Sequence, residues 1–329
     1  MSSDSKPIVL VTRQLPSQAQ ARLESLSDEL TIRQHKSTSP ISRQDLLDGI
    51  KGADGLICLL SEKIDSELLE AAGPRLKVVS TVSVGYDHVD TAALKAHGTR
   101  LGYTPDVLTD ATADTTVLLA LMASRLAKRS LEIVTSGTGG GFSLSTGLGT
   151  QFTKKTLGIV GFGRIGAATT QRLMPFGFSR VLYTASRAHP ERAQPFKAEH
   201  VSLPTLLAHS DLVCICCPLN QQTEGMFDAK AFAAMKPSAI LVNTARGAIV
   251  NQDDLLAALD RGELAHAALD VTVPEPLPKG HPLVRHPNCT ILPHIGSATE
   301  ETRNAMGNMA ITNMMAGVFA EQMTAEVEL

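Results

Sequence analysis

Thr156-Leu-Gly-Ile-Val-Gly-Phe-Gly-Arg-Ile-Gly166 decides the fold. The apolar run Leu157–Val160 reads as a buried strand, a G-x-G-x-x-G follows it directly, and Ile165–Met174 reads as a helix. Strand, glycine turn and helix in that order open a Rossmann unit. Gly161 permits the tight turn, Gly163 lets a pyrophosphate approach the backbone, and Gly166 lets helix and strand pack closely. The helix start, with Arg164 and Ile165 in its first turn, offers N–H groups and partial positive charge to phosphates. An ordinary glycine-rich turn has the same pattern, so the flanking sequence must separate the two.

Outward from this motif the chain alternates apolar strands and amphipathic helices. Strands are expected downstream at Val181–Tyr183, Leu212–Cys216, Ile240–Val242, Ala267–Asp270 and Thr290–Leu292, with helices at Asp228–Met235 and Asp253–Arg261. Upstream, strands are expected at Ile8–Val11, Leu56–Leu60, Leu76–Ser80 and Thr99–Tyr103, and one helix from Ala111 to Ile133. A final helix, Glu300–Ala320, carries Met306, Met309, Met314 and Met315, a stripe expected to be core. At 329 residues the chain exceeds one ordinary core. The expectation is therefore an α/β protein of two domains, Rossmann-like and flavodoxin-like, with parallel sheets.

With 43% apolar residues, 19% charged residues and a net charge of −3, the composition is that of a globular chain and argues against nucleic acid or anionic membrane as main partner. Met1-Ser-Ser-Asp-Ser-Lys lacks a signal-peptide pattern and Glu326-Val-Glu-Leu329 is no sorting tail, so a cytoplasmic location is expected. The five cysteines fit a reducing compartment. Cys214, Cys216 and Cys217 lie in a strand pattern without C-x-x-C spacing, so they are read as small hydrophobes and no metal site is expected.

The strand after the glycine turn bears on which dinucleotide binds. An NAD site has Asp or Glu about 20 residues on, where it holds the ribose 2′-OH. Here Val181-Leu-Tyr-Thr-Ala-Ser-Arg-Ala-His189 has no carboxylate before Glu191, and Ser186 and Arg187 occupy the tip. A guanidinium and a hydroxyl suit a 2′-phosphate, which favours NADPH, with NADH as the weaker alternative.

Three polar residues stand at or beyond the ends of later strands: Arg246 in Asn243-Thr-Ala-Arg-Gly-Ala-Ile-Val250, Glu275 in Asp270-Val-Thr-Val-Pro-Glu-Pro-Leu-Pro278, and His294 in Leu292-Pro-His-Ile-Gly-Ser-Ala-Thr299. Ligands of open α/β sheets gather at those ends. Arg246 can bind a carboxylate and polarise a carbonyl. His294, whose type titrates near ~6.5 when free, can donate a proton, and Glu275 beside it would favour the imidazolium and fix its orientation. Singly, each has a bland reading as a surface ion pair, a solvated loop acid or a core histidine. Their order behind the glycine turn points to reduction of a 2-oxo acid.

Those segments, over nearly the full length, resemble the D-isomer-specific 2-hydroxyacid dehydrogenases. Ser83-Val-Gly-Tyr-Asp-His-Val-Asp90, Gly102-Tyr-Thr-Pro-Asp-Val-Leu-Thr-Asp110 and Pro274-Glu-Pro-Leu-Pro-Lys-Gly-His-Pro-Leu283 resemble the branch that reduces glyoxylate and hydroxypyruvate. The resemblance implies a discontinuous substrate domain, 6–106 with 299–329, around an NADP-binding domain, 107–298, the active site lying in the cleft between them. It implies that Val84 and Gly85 give a second carboxylate anchor and that Ser297 joins Arg246 and His294 in the substrate pocket. It places Pro218, Thr244, Asp270 and Gly296 along the cofactor, and it implies a homodimer formed through Ala111–Gly149.

One segment departs from the family. Where the reductases are rich in Trp, this chain has none, and its counterpart Gly137–Gly149 holds six glycines, with Phe142 as sole aromatic. Glycine raises the cost of ordering a loop, so this segment is expected to be mobile without substrate. Other readings stay open: a related dehydrogenase acting on phosphohydroxypyruvate or pyruvate, or a dinucleotide-sensing binding protein like the corepressors built on this fold. A formate dehydrogenase fits less well, because that branch lacks the acid partnering the histidine.

Overall fold

Short apolar strands separated by amphipathic helices build two parallel sheets in the computed structural model, which describes residues 6–139 and 141–329. Met1–Ser5, part of the N-terminal reading above, and Gly140 of the glycine-rich segment lie outside the described residues. The chain divides into two units, one running to Leu108 and completed by Ala298–Leu329, the other Thr109–Ser297.

The first unit contains β1 (Ile8–Val11), β2 (Thr31–Gln34), β3 (Gly55–Cys58), β4 (Val78–Thr81) and β5 (Arg100–Gly102), in the order β2-β1-β3-β4-β5. This is the flavodoxin-like order, and every strand pair is parallel. Strands β3 and β4 are buried throughout, as parallel strands covered on both faces must be. The helix Glu300–Val318 returns to this sheet and carries two buried asparagines that tie it down. Asn304 accepts the N–H groups of Gln18 and Ala19 at the start of the helix Ser17–Ser25, and Asn313 donates to the Tyr103 carbonyl while accepting from Ala325 N–H. Met306 and Met314 on the same helix are buried core residues, and Met309 and Met315 are half-buried.

The second unit contains β6 (Thr156–Val160), β7 (Arg180–Thr184), β8 (Glu199–His200), β9 (Leu212–Ile215), β10 (Ile240–Asn243), β11 (His266–Leu269) and β12 (Cys289–Ile291). Their order is β8-β7-β6-β9-β10-β11-β12, the doubly wound arrangement with its reversal between β6 and β9. Cys214 is buried in β9, where burial pushes its thiol pKa well up, as a small hydrophobe in a core requires.

Two local expectations change. The segment expected as one helix from Ala111 to Ile133 is two, Thr109–Ser124 and Ala127–Ser136, broken where Leu126 turns left-handed at φ 53°. The break frees the Ser124 carbonyl to accept Thr150 N–H, and it lets Lys128 donate to the carbonyls of Val284, His286 and Cys289. Strands β2 and β8 are edge strands, too polar or too short to stand out from the sequence. Among the described residues, no helix is long and apolar enough to cross a membrane.

Candidate active site

At the reversal point the glycine turn leaves β6 with Gly161 at φ +92°, and its N–H donates to the Thr184 carbonyl of β7. A Cβ at Gly161 would stand 2.5 Å from the Cys217 nitrogen, and one at Gly166 would stand 2.2 Å from the Gly161 carbonyl oxygen. A Cβ at Gly163 would meet nothing within 4 Å. Two of the glycines are thus required by the protein's own backbone, while Gly163 faces open space at the head of the helix Arg164–Leu173. That cradle, with N–H groups around it, fits the pyrophosphate of a dinucleotide. Arg164 is exposed in the helix's first turn, Ile165 is half-buried, and exposed Pro218 borders the turn just after β9.

Ser186 and Arg187 are exposed beyond the end of β7. Next to them, His189 is held below its ordinary pKa by partial burial and by the charges of Arg192, Arg187 and His200. Such mutual repulsion marks a local excess of positive charge, which a dianionic phosphate would relieve.

The polar trio lies at the carboxyl ends of β10, β11 and β12. Asn243, wholly buried at the end of β10, shapes the turn that carries Arg246 by accepting Ala245 N–H at 3.0 Å and donating to the Arg246 carbonyl at 2.8 Å. Thr116 donates to the Thr112 carbonyl, so the shared hydrogen bond to Thr244 must run from Thr244 to Thr116. That bond ties the end of β10 to the helix Thr109–Ser124.

Glu275 lies between two cis prolyl bonds, Val273-Pro274 and Glu275-Pro276. One carboxylate oxygen accepts Thr272 N–H at 2.9 Å and the other accepts from His294 Nδ1 at 2.7 Å. Burial acts to raise the Glu275 pKa, but His294, the Thr272 N–H and the nearby Arg246 charge outweigh it and hold the carboxyl below its ordinary range. The side chains of Glu275 and His294 keep 36% and 30% of their surface exposed, so the pair is reachable from solvent. With Nδ1 engaged, Nε2 is the nitrogen left to face a substrate. His294 itself is left-handed, φ 55°, on a turn gripped by buried Asp270.

Sequence reasoning assigned no task to Asn243, Thr116 or Gln252. Gln252 accepts Val273 N–H at 2.9 Å and donates to the Val273 carbonyl, pinning the loop that bears Glu275. Asn243 stood inside a quoted motif; nothing local marked Gln252. Asp270, expected along the cofactor, has a structural task as well, for its carboxylate accepts Ile295 N–H at 2.8 Å and Gly296 N–H at 2.7 Å. Ser297 is half-buried at the end of the second unit, and Val84 and Gly85 form the half-buried turn after β4 in the first.

A doubly wound sheet with this glycine cradle, and a carboxylate–imidazole pair beside an arginine at its strand ends, defines a dinucleotide-dependent oxidoreductase. Residues 117–296 match the family described as D-isomer specific 2-hydroxyacid dehydrogenase, NAD binding domain. The chain is 46% identical over 321 residues to the human glyoxylate reductase/hydroxypyruvate reductase, covering 98% of each. It superposes on the crystal structure of the TT0316 protein of Thermus thermophilus with a TM-score of 0.90 at 40% identity, over 98% of this chain and 100% of that one. It also resembles an NADPH-dependent glyoxylate/hydroxypyruvate reductase of Sinorhizobium meliloti, solved with NADP and malonate, at TM-score 0.83 and 28% identity over 98% and 97% of the two chains. The chain belongs to the D-isomer specific 2-hydroxyacid dehydrogenase family, oxidoreductases acting on the CH–OH group of 2-hydroxy acids.

Proposed function

We propose that the protein reduces glyoxylate and hydroxypyruvate to glycolate and D-glycerate with NADPH. The observation that carries this reading is the Glu275–His294 pair at 2.7 Å with Arg246 close enough to bias the Glu275 charge. Names of the similar proteins, human and bacterial, support the choice of substrates.

Arg246 holds the substrate carboxylate and draws electron density toward the carbonyl oxygen. Val84 and Gly85 supply backbone N–H groups as a second anchor for the carboxylate, and Ser297 contributes to the pocket. Glu275 accepts from Nδ1 of His294, so the Nε2 proton faces the substrate oxygen. A nicotinamide dinucleotide, when bound, supplies the hydride. His294 gives its proton to the oxygen, completing the hydroxyl, and Glu275 stabilises the imidazolium before that transfer. Gly161, Gly163, Arg164, Ile165 and Gly166 would hold the pyrophosphate, Ser186 and Arg187 the 2′-phosphate, and Thr244 and Asp270 the nicotinamide end, with Pro218 and Gly296 flanking the cofactor.

Initial rates of NADPH and NADH against glyoxylate, hydroxypyruvate, pyruvate and phosphohydroxypyruvate test the whole reading. Preference for NADPH with the first two acids is expected. Intact dinucleotide binding without turnover on any of the four would turn the assignment to a sensing protein.

The proposed partner is a second copy of the chain. The helix Ala127–Ser136 buries none of its residues, and Val134 and Phe142 are 77% and 93% exposed. Exposed apolar side chains on this segment support an association surface there. Light scattering that gives a monomer mass at assay concentrations would remove the dimer.

A further inference from the structure

A buried chain of hydrogen bonds runs under the turn that follows β4. Ser83 donates to the Gly85 carbonyl at 2.7 Å and shares a 2.8 Å bond with Thr81, which in turn stands 3.0 Å from His88 Nε2. A hydroxyl has one proton to give. Ser83 spends its proton on Gly85, so Thr81 donates to Ser83, and His88 Nε2–H must donate to Thr81. The chain therefore has one direction, from imidazole through two hydroxyls to a backbone carbonyl. Both ends of the segment are anchored, since the Ser83 carbonyl accepts Thr104 N–H and the His88 carbonyl accepts Ile64 N–H.

The Gly85–Tyr86 peptide is not among the cis bonds. In a trans peptide the carbonyl and the following N–H point in opposite directions. Holding the Gly85 carbonyl against Ser83 therefore aims the Tyr86 N–H away from the β4 side of the turn. The N–H groups of Val84, Gly85 and Tyr86 take no hydrogen-bond partner among the described residues. Three successive amides without internal partners can serve an anion as donors.

We infer that Thr81, Ser83 and His88 are positioning residues for the substrate carboxylate, and that Tyr86 N–H is a further donor to it beside Val84 and Gly85. This rests on the proposed reduction of 2-oxo acids. Ser83→Ala frees the Gly85 carbonyl to rotate, and should raise the KM for glyoxylate and the Kd of oxalate for the NADP-loaded protein by about tenfold, as loss of one well-placed hydrogen bond does. The KM for NADPH and kcat should stay near wild type, and Ser83→Thr should restore oxalate binding.

Oxalate that binds Ser83→Ala as tightly as wild type, or does not bind wild type, overturns the inference. So does a Ser83→Ala protein whose kcat and NADPH binding fall together with oxalate affinity, because that is a general structural defect. Should Ser83→Ala not fold, His88→Leu and His88→Gln decide. The glutamine amide can replace Nε2–H, so only the leucine variant should weaken oxalate, and equal weakening overturns the assignment. A wild-type protein without turnover on any 2-oxo acid, yet with oxalate binding weakened by Ser83→Ala, would sink the proposed reaction and leave the positioning role standing.

Discussion

The backbone carbonyl of Asp270 accepts the N–H of His294 at 2.8 Å, and the Asp270 carboxylate takes the next two N–H groups, those of Ile295 and Gly296. Three consecutive amides are thus held by one residue buried just beyond the end of β11. A histidine in the left-handed region costs energy that its surroundings must over-determine, and this clamp does so. The imidazole stays on a fixed mount while its ring remains partly open to solvent.

Asp270→Asn tests the clamp. Asparagine keeps one acceptor oxygen and turns an NH2 toward an N–H that needs an acceptor. A loss of about 2–3 kcal/mol in unfolding free energy is expected, from a buried donor left unmet and a charged acceptor removed. Urea denaturation measures that loss, and kcat for glyoxylate should fall with it because His294 is released. Unchanged stability would show that the two amides find other acceptors.

His294 and Glu275 are separated by a pH experiment. His294→Asn should lower kcat by about 10²–10⁴, the range for a lost general acid, with NADPH binding kept. For Glu275 the folded pKa is depressed, so its stabilising contribution is present above the ordinary carboxylate range and is lost as pH falls through the lowered value. Wild type should therefore lead Glu275→Gln in Tm at neutral pH, and the lead should shrink as pH drops below about 4. A Tm difference that stays constant with pH means the carboxylate form is not what stabilises the fold.

Arg187 reports on the cofactor. Arg187→Ala should raise the KM for NADPH by about 10- to 100-fold, the worth of a charge-assisted contact to phosphate, and leave that for NADH nearly unmoved. His189 carries a second signal: its pKa, lowered by burial and by the Arg192, Arg187 and His200 charges, should rise when NADP+ binds. NMR titration of the His189 ring with and without NADP+ would follow it. Equal losses for both dinucleotides in Arg187→Ala leave no support for a 2′-phosphate site.

Two glycines of one motif should behave differently. Gly166→Ala sets a methyl 2.2 Å from a backbone oxygen, so the variant should be unstable or misfolded. Gly163→Ala meets nothing within 4 Å, so its Tm should match wild type while dinucleotide affinity falls. A Gly163→Ala protein that still binds NADPH normally would show that the open space is not where the pyrophosphate sits. Calorimetry and thermal melts on the two variants give both readouts.

Much of this architecture was legible because apolar tetrads announce themselves locally. Leu157–Val160 with Gly161, Gly163 and Gly166 specified strand, turn and helix, and the structure adds that two of those glycines serve the protein's own packing. Polar β2 and two-residue β8 escaped notice, since edge strands need no continuous apolar run. The long helix expected through Ile133 breaks at Leu126 because Lys128 and the Ser124 carbonyl find partners far along the chain. Arg246, Glu275 and His294 were visible as residue types at strand ends, whereas Asn243, Thr116 and Gln252 were silent until their partners came into view.

What the sequence alone determined is therefore local and chemical: the strand–turn–helix units, the glycine turn, the lack of a carboxylate from Val181 to His189 and the three polar side-chain types at strand ends. Tertiary structure decided their relations. It set the two strand orders, brought Glu275 against His294 across 19 residues, and made Asp270 the clamp for His294 across 24. The reason is physical: backbone propensity is encoded residue by residue, but hydrogen-bond partners at the ends of β10, β11 and β12 exist only once those strands have paired in register.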